Sequence, residues 1–125
     1  MDNTTHPTFG NGKICYIEIP AIDPHSSANF YKDVFGWVIR NSSDGTVAFD
    51  DAVGEVSGAW VTGRKPATEA GFAISIMVDN IQSTVDLIMA HGGKIIQRMD
   101  IDSQQKFALF SDPAGNIFGL YQHGG

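Results

Sequence analysis

The chain has 125 residues, of which 42% are hydrophobic and 18% charged, as is typical of one compact globular domain with its own core. A formal net charge of −6 argues against a nucleic-acid partner, which requires clustered Lys and Arg, and against docking on an anionic membrane. No apolar run approaches the length of a membrane span, and the single cysteine, Cys15, excludes an intrachain disulfide, so a cytoplasmic protein is expected.

The first half of the chain predicts a β-α-β-β-β unit. Residues 1–12 are expected to form a flexible leader, followed by the first strand. Asp23 is a suitable N-cap for a helix, Pro24 suits its first turn, and Gly36 ends it. The strands of this unit are predicted at 14–19, 37–40, 46–49 and 56–62.

The second half repeats the same order of elements after a linker at 63–70. Asn80 is the predicted N-cap, and the helix is expected to end at Ala90 or His91, before two glycines. The strands of this unit are predicted at 72–78, 94–98, 106–110 and 116–121.

The two halves align as an internal repeat. Residues 19–39 match residues 76–96 at a constant offset of 57. In the later part the offset becomes 61, since Phe49, Asp51, Gly54 and Gly58 match Phe110, Asp112, Gly115 and Gly119. Two diverged copies of one supersecondary unit are expected to build a pseudo-symmetric pocket, which locates the functional site.

Strand parity separates two faces in each copy, because successive side chains of a strand point in opposite directions. In the first strand Cys15, Ile17 and Ile19 should lie under the helix, which makes Cys15 an inert core thiol, while Tyr16 and Glu18 point away. In the matching strand the apolar set at 72, 74, 76 and 78 should lie under the second helix, and Ala73, Ser75 and Met77 should point away.

Two motifs resemble those of the vicinal oxygen chelate superfamily, which comprises glyoxalases, bleomycin-resistance proteins and extradiol dioxygenases. They are Phe-Tyr-Lys-Asp-Val-Phe-Gly-Trp at 30–37 and Asp-Pro-Ala-Gly-Asn at 112–116, and the resemblance extends from about residue 13 to 122. It implies an α+β fold of two tandem βαβββ modules, about 13–62 and about 71–122, forming a cup-shaped mixed sheet within one domain at 13–125. It also implies a homodimer.

The resemblance implies four positions for metal ligands, and none of them carries a suitable donor here. They are Tyr16 and Ala73 in the first strands, and Gly58 and Gly119 in the last strands. Alanine and glycine offer no donor atom, and a neutral tyrosine is a poor ligand for common divalent ions. The four histidines fall outside the predicted cup strands, so we expect neither a metal nor another cofactor.

The resemblance also implies that the two glycines point into the cup, which places Trp60 and Tyr121 there. The predicted ligand-binding residues are Tyr16, Glu18, Trp60, Ser75, Met77, Ile117 and Tyr121. This set is mostly apolar and aromatic, as small-molecule sites are. Glu18 is the candidate catalytic residue, as a general base, or the counter-ion of a basic ligand; alternatively it forms a salt bridge, with Arg64 or Lys106 among the candidates, or lies exposed at the rim.

Three functions remain open from the sequence. The first is metal-free binding of a small organic molecule, cationic or aromatic, in the cup, as in the antibiotic-binding branch of the superfamily. The second is an enzyme of the lyase, isomerase or dioxygenase kind. The third is a dimeric interaction module whose pocket is vestigial. Fold alone does not choose among them.

Overall fold

The computed structural model describes residues 6–68, 72–100 and 105–123, and of His123 only the backbone. The chain forms two compact units, unit 1 up to Arg64 and unit 2 from Lys65 onward, so the division lies inside the predicted linker. None of the helices among the described residues is long and apolar enough to cross a membrane.

Unit 1 is a four-stranded mixed sheet with one helix. The strand order is β1-β4-β3-β2, in which β1 and β4 are parallel and the other pairs antiparallel. Its elements are β1 Tyr16–Pro20, α1 Pro24–Phe35, β2 Val38–Asn41, β3 Val47–Asp50 and β4 Ser57–Val61.

The sequence signals at both ends of α1 are confirmed. The Asp23 carboxylate accepts a hydrogen bond from the His25 N–H at 3.1 Å, and Pro24 occupies the first turn. Gly36 ends the helix in the left-handed conformation, at φ 75°, where a side chain would be strained.

An aromatic cluster fills the core of unit 1, between α1 and the sheet. Tyr31 is completely buried and stacks on Trp37 at 4.5 Å between ring centroids, and Trp37 stacks in turn on Phe49 at 4.4 Å. Trp60 closes the cluster, 4.9 Å from Phe49. These rings therefore pack α1 onto the sheet, and their burial is a major part of the unit's stability.

Unit 2 has the same plan. The strand order is β5-β8-β7-β6, with β5 and β8 parallel and the other pairs antiparallel. Its elements are β5 Ser75–Met77, α2 Ile81–Ala90, β6 Lys94–Asp100, β7 Gln105–Ser111 and β8 Ile117–His123.

The start of α2 is held from two directions. The Asn80 side chain accepts from the Ser83 N–H at 2.9 Å, as the sequence predicts for an N-cap. The buried Gln122 of β8 accepts from the Ile81 N–H at 2.7 Å and so ties the helix to the sheet. The apolar core of unit 2 comprises Ile81, Val85, Ile88, Ala108, Phe110, Phe118 and Leu120.

The turns before the last strands differ in length by one residue. In unit 2 the Asp112 N–H donates to the Asn116 carbonyl, whereas in unit 1 the Asp51 N–H donates to the Val56 carbonyl. Both aspartates also accept backbone N–H groups with their side chains, Asp112 from Asn116 and Asp51 from Val56. The extra residue in unit 1 changes the offset between the last strands from 61 to 60.

Strand pairing shows the corrected correspondence. Glu18 pairs with Ala59, and its repeat mate Ser75 pairs with Gly119. Ala59, rather than Gly58, is therefore the counterpart of Gly119, and the predicted match of the two glycines is wrong. A one-residue slip moves every side chain of a strand to the other face.

Two predictions about the first strands are also wrong. Cys15 lies before β1 and is exposed, so it is not a core thiol. Phe72 is 89% exposed because β5 begins at Ser75, three residues later than the apolar alternation indicates.

The end of the predicted leader is bound to unit 1 by one carboxylate. Glu55 accepts hydrogen bonds from the Thr8 N–H at 3.0 Å, from Lys13 Nζ at 3.2 Å and from the Thr8 hydroxyl, and contacts His6 Nδ1 at 2.6 Å. These donors, the Thr8 N–H foremost, lower the pKa of Glu55 from 4.5 to about 2.

Substituting alanine for each of the two glycines of the last strands should have unequal effects. A methyl group on Gly58 would collide with the Ile17 carbonyl and lie 2.5 Å from the Phe49 ring. One on Gly119 would meet the exposed Ser75, with its hydroxyl at 2.6 Å and its other atoms at ordinary contact distance. We expect Gly58→Ala to lower the free energy of unfolding by about 3 kcal/mol, and Gly119→Ala by less than about 1 kcal/mol. Urea denaturation measures both, and equal losses would contradict the assigned faces.

Acidification should release the segment around Thr8. Because the pKa of Glu55 is lower in the folded chain than in the unfolded one, its stabilising contribution is complete above pH 4.5 and is lost as the pH falls toward about 2. The Thr8 amide resonance should follow that titration, and Glu55→Gln should abolish the response. A Glu55 carboxyl that titrates near 4.5 in carbon-detected NMR would contradict these contacts.

Candidate ligand-binding faces

Each sheet has a face turned away from its own helix, which we call the far face. In unit 1, strand pairing places Tyr16, Ser57 and Asp50 in one row across the far face. The next row contains Glu18, Ala59, Ala48 and Arg40.

Two ion pairs dominate the far face of unit 1. Asp50 accepts from the Ser57 hydroxyl at 2.7 Å and from Arg40 Nη2 at 2.9 Å, and these hydrogen bonds, that of Ser57 most, lower the pKa of Asp50. Glu18 accepts from Arg64 Nη2 at 2.5 Å. Both pairs are partly exposed, so each contributes little to stability.

Glu18 therefore lies on the face that strand parity predicts, and it has the salt bridge with Arg64 that was one of the open alternatives. The assignment of Glu18 as a general base stays a prediction. Tyr16, on the same face, is 54% exposed.

Trp60 does not lie on the far face. It is 3% exposed, its ring is 5.7 Å from that of Tyr31 of α1, and its indole N–H is buried with no hydrogen-bond acceptor within the described ranges. The prediction that Trp60 lines a ligand site is wrong, because the longer turn at Asp51 shifts β4 by one residue.

An apolar row crosses the far face of unit 2. Met77 of β5 pairs with Tyr121 of β8, Tyr121 pairs with Phe107 of β7, and Phe107 pairs with Met99 of β6. The rings of Phe107 and Tyr121 are 5.0 Å apart. Met77 is 73% exposed and Met99 48%, and the two rings between them are half-buried, so the row is accessible, most of all at its two ends.

A second row on the same face contains smaller groups. Ser75 pairs with Gly119, and Gly119 pairs with Leu109. Ile117 is half-buried at the edge of this face. The predicted residues Ser75, Met77, Ile117 and Tyr121 thus share one face, although their role in binding stays a prediction.

Sequence reasoning missed Met99, Phe107 and Leu109, which carry much of that apolar surface. The alternation of side chains along β7 would have identified Phe107 and Leu109, since they alternate with the buried Ala108 and Phe110. Met99 requires the register of β6, in which a bulge lies between Ile95 and Gln97. That bulge breaks simple alternation.

The residues at the implied metal positions do not fit a divalent ion. Tyr16 offers one neutral phenol, Ala73 and Ala59 offer methyl groups, and Gly119 has no side chain. The space beside Gly119 is also occupied by the Ser75 hydroxyl, 2.6 Å from where a side chain would begin. A catalytic metal normally requires about three protein ligands, which these positions do not supply.

Nor do other side chains replace those ligands in the part of the chain that the structure describes. There, no three His, Cys, Asp or Glu side chains are grouped so that they could hold an ion. The His91 Nδ1 lies 2.8 Å from the Leu87 carbonyl at the end of α2.

Comparisons with known proteins agree with this architecture. Residues 13–120 match the family model of the Glyoxalase/Bleomycin resistance protein/Dioxygenase superfamily. A glyoxylase-like domain-containing protein of Didymella fabae is 30% identical over 121 residues, which cover 88% of this chain and 93% of that one.

Solved structures show the same fold at low identity. A superfamily member from Sphaerobacter thermophilus has a TM-score of 0.72 at 20% identity, over 90% of this chain and 98% of the other. A fosfomycin resistance protein from Mesorhizobium loti has a TM-score of 0.70 at 16% identity, over 91% of this chain and 93% of the other.

Two units with the same βαβββ order of elements and the same strand order define the class of protein. The chain belongs to the Glyoxalase/Bleomycin resistance protein/Dioxygenase superfamily.

The donor set predicts how the chain responds to metal ions. Addition of Mg²⁺, Mn²⁺, Ni²⁺ or Zn²⁺ should leave the thermal midpoint unchanged, since an ion that does not bind the folded state cannot stabilise it. Differential scanning calorimetry with and without EDTA measures this. A saturable, EDTA-reversible rise in Tm would show that the folded chain does hold an ion.

Proposed function

We propose that this chain binds a small, largely apolar or aromatic organic molecule and does so without a catalytic metal ion. The observation that carries the proposal is the accessible apolar row of Met77, Tyr121, Phe107 and Met99 on the far face of unit 2. Exposed apolar surface of this kind is typical of ligand or partner contacts rather than of a bare surface.

The side chains of this row suit a flat ligand. Phe107 and Tyr121 offer tilted rings for stacking or edge contacts, and the two methionines adapt their shape to an irregular apolar group. Beside the row, Ser75 pairs with Gly119, and the exposed Ser75 hydroxyl offers a hydrogen bond.

The far face of unit 1, taken by itself, does not favour a cationic ligand. Its two carboxylates, Glu18 and Asp50, are each paired with an arginine. A cationic ligand would have to displace a guanidinium from one of them. The aromatic option is therefore the better supported of the two that the sequence leaves open.

The methionine methyl groups provide a direct test. We expect 2-naphthol, a neutral aromatic probe, to shift the ¹³C-methyl signals of Met77 and Met99 and not that of Met89, which is exposed on α2. Met77→Ser should weaken the binding of this probe about fivefold, since part of a methionine's buried area is lost. The matched Met89→Ser should bind it as the wild type does.

Two results would contradict the proposal. One is an absence of methyl shifts up to the solubility limit of the probe. The other is equal weakening by the two serine substitutions, which would indicate nonspecific adsorption. If Met77 and Met99 instead shift with protein concentration in the absence of probe, a second copy of the chain covers this face, and the alternative of an interaction module is favoured.

A further inference from the structure

A second candidate site lies in unit 1, on the helix side of the sheet and so off the far face of that unit. It is a groove of about 470 Å³ between α1 and β2. Its lining residues are His25, Ala28, Asn29, Lys32, Trp37, Val38, Ile39 and Asn41. This volume lies within the range of small-molecule sites.

The fold explains why these residues meet. Positions 25, 28, 29 and 32 recur at helical spacing and therefore share one side of α1. β2 is the edge strand of the sheet, so one long side of it is not covered by another strand of unit 1. The side of α1 that carries Lys32 is therefore open toward that edge.

The floor of the groove is rigid and apolar. Trp37 is held between the rings of Tyr31 and Phe49, with centroid distances of 4.5 and 4.4 Å. Both ring faces are thus occupied, and Trp37 presents an edge to the groove. Ala28 and Ile39 supply the remaining apolar contacts.

The polar groups of the groove are the His25 ring and three side chains that carry donors. Lys32 carries a positive charge, and Asn29 and Asn41 carry amide N–H groups. Across residues 6–68, 72–100 and 105–123, the side chains of these three residues form neither a hydrogen bond nor an ion pair. They are thus available to a ligand.

The nearby carboxylates do not line the groove. Asp23 accepts hydrogen bonds from the His25 N–H and the Ser26 hydroxyl at the start of α1, and Asp50 is paired with Arg40. Asp33 is exposed beside Lys32 but is absent from the lining. In a chain with a net charge of −6, the groove has cationic and amide groups and no carboxylate.

We propose that this groove binds a small organic anion, namely a carboxylate attached to an apolar or aromatic body. The carboxylate accepts hydrogen bonds from Lys32 and from the amides of Asn29 and Asn41, and the body lies against Trp37 and Ile39. Charge-assisted hydrogen bonds favour the anion over its neutral or cationic analogue.

The test uses benzoate and benzylamine, which share a phenyl ring and differ in the sign of their charge. We expect benzoate to shift the backbone amide signals of residues 25–41 in ¹H–¹⁵N spectra of the full chain, and benzylamine to leave them unchanged. Lys32→Glu should weaken benzoate binding about tenfold, because it replaces attraction by repulsion. Lys94→Glu, the same charge change on exposed β6, should leave it unaltered.

Three outcomes overturn the proposal. The first is an absence of benzoate-dependent shifts up to about 20 mM, since a dissociation constant above that value would be too weak for a specific site. The second is equal shifts with both probes, and the third is equal weakening of benzoate binding by the two lysine substitutions. The far-face site is read separately, from the methyl signals of Met77 and Met99. Failure at one site is therefore distinguishable from failure at the other.

Discussion

The aspartate-capped turn before the last strand of each unit is the constraint on which the rest of the structure depends. Asp51 and Asp112 each bind backbone N–H groups of their own turn, so the aspartate fixes where the last strand begins. That strand pairs with the first strand of its unit in parallel, and its register decides which side chains lie under the helix. The turn after Asp51 is one residue longer than the turn after Asp112. Matching residues of β4 and β8 in the sequence repeat therefore point to opposite faces of their sheets.

Because of this difference in turn length, the two units carry different side chains on their far faces. In unit 1 the shift places Trp60 in the aromatic core and leaves Ala59 on the far face, among paired charges. In unit 2 the shorter turn leaves Gly119 and Tyr121 on the far face, beside Phe107, where they form an apolar surface. The two copies of the repeat thus carry different far faces, one with paired charges and one with an apolar row.

Much of the fold was predictable because local chemistry determines it. Asp23 and Asn80 accept backbone N–H groups at the helix starts, and Gly36 adopts the left-handed conformation that ends α1. The structure places all three as expected. The faces of the last strands were not predictable from alternation, since the turn length at Asp51 has no separate sequence signal. The groove beside Lys32 was missed for another reason: it joins one side of a helix to a strand edge, and neither element alone indicates it.

The position of the Trp60 indole tests this account most directly. In nuclear Overhauser spectra its ring protons should show contacts to Tyr31, Val47 and Phe49, because the longer turn places Trp60 under α1. Contacts from the indole to Tyr16 and Glu18 instead would put Trp60 on the far face. The register, and with it the division between the two faces, would then be wrong.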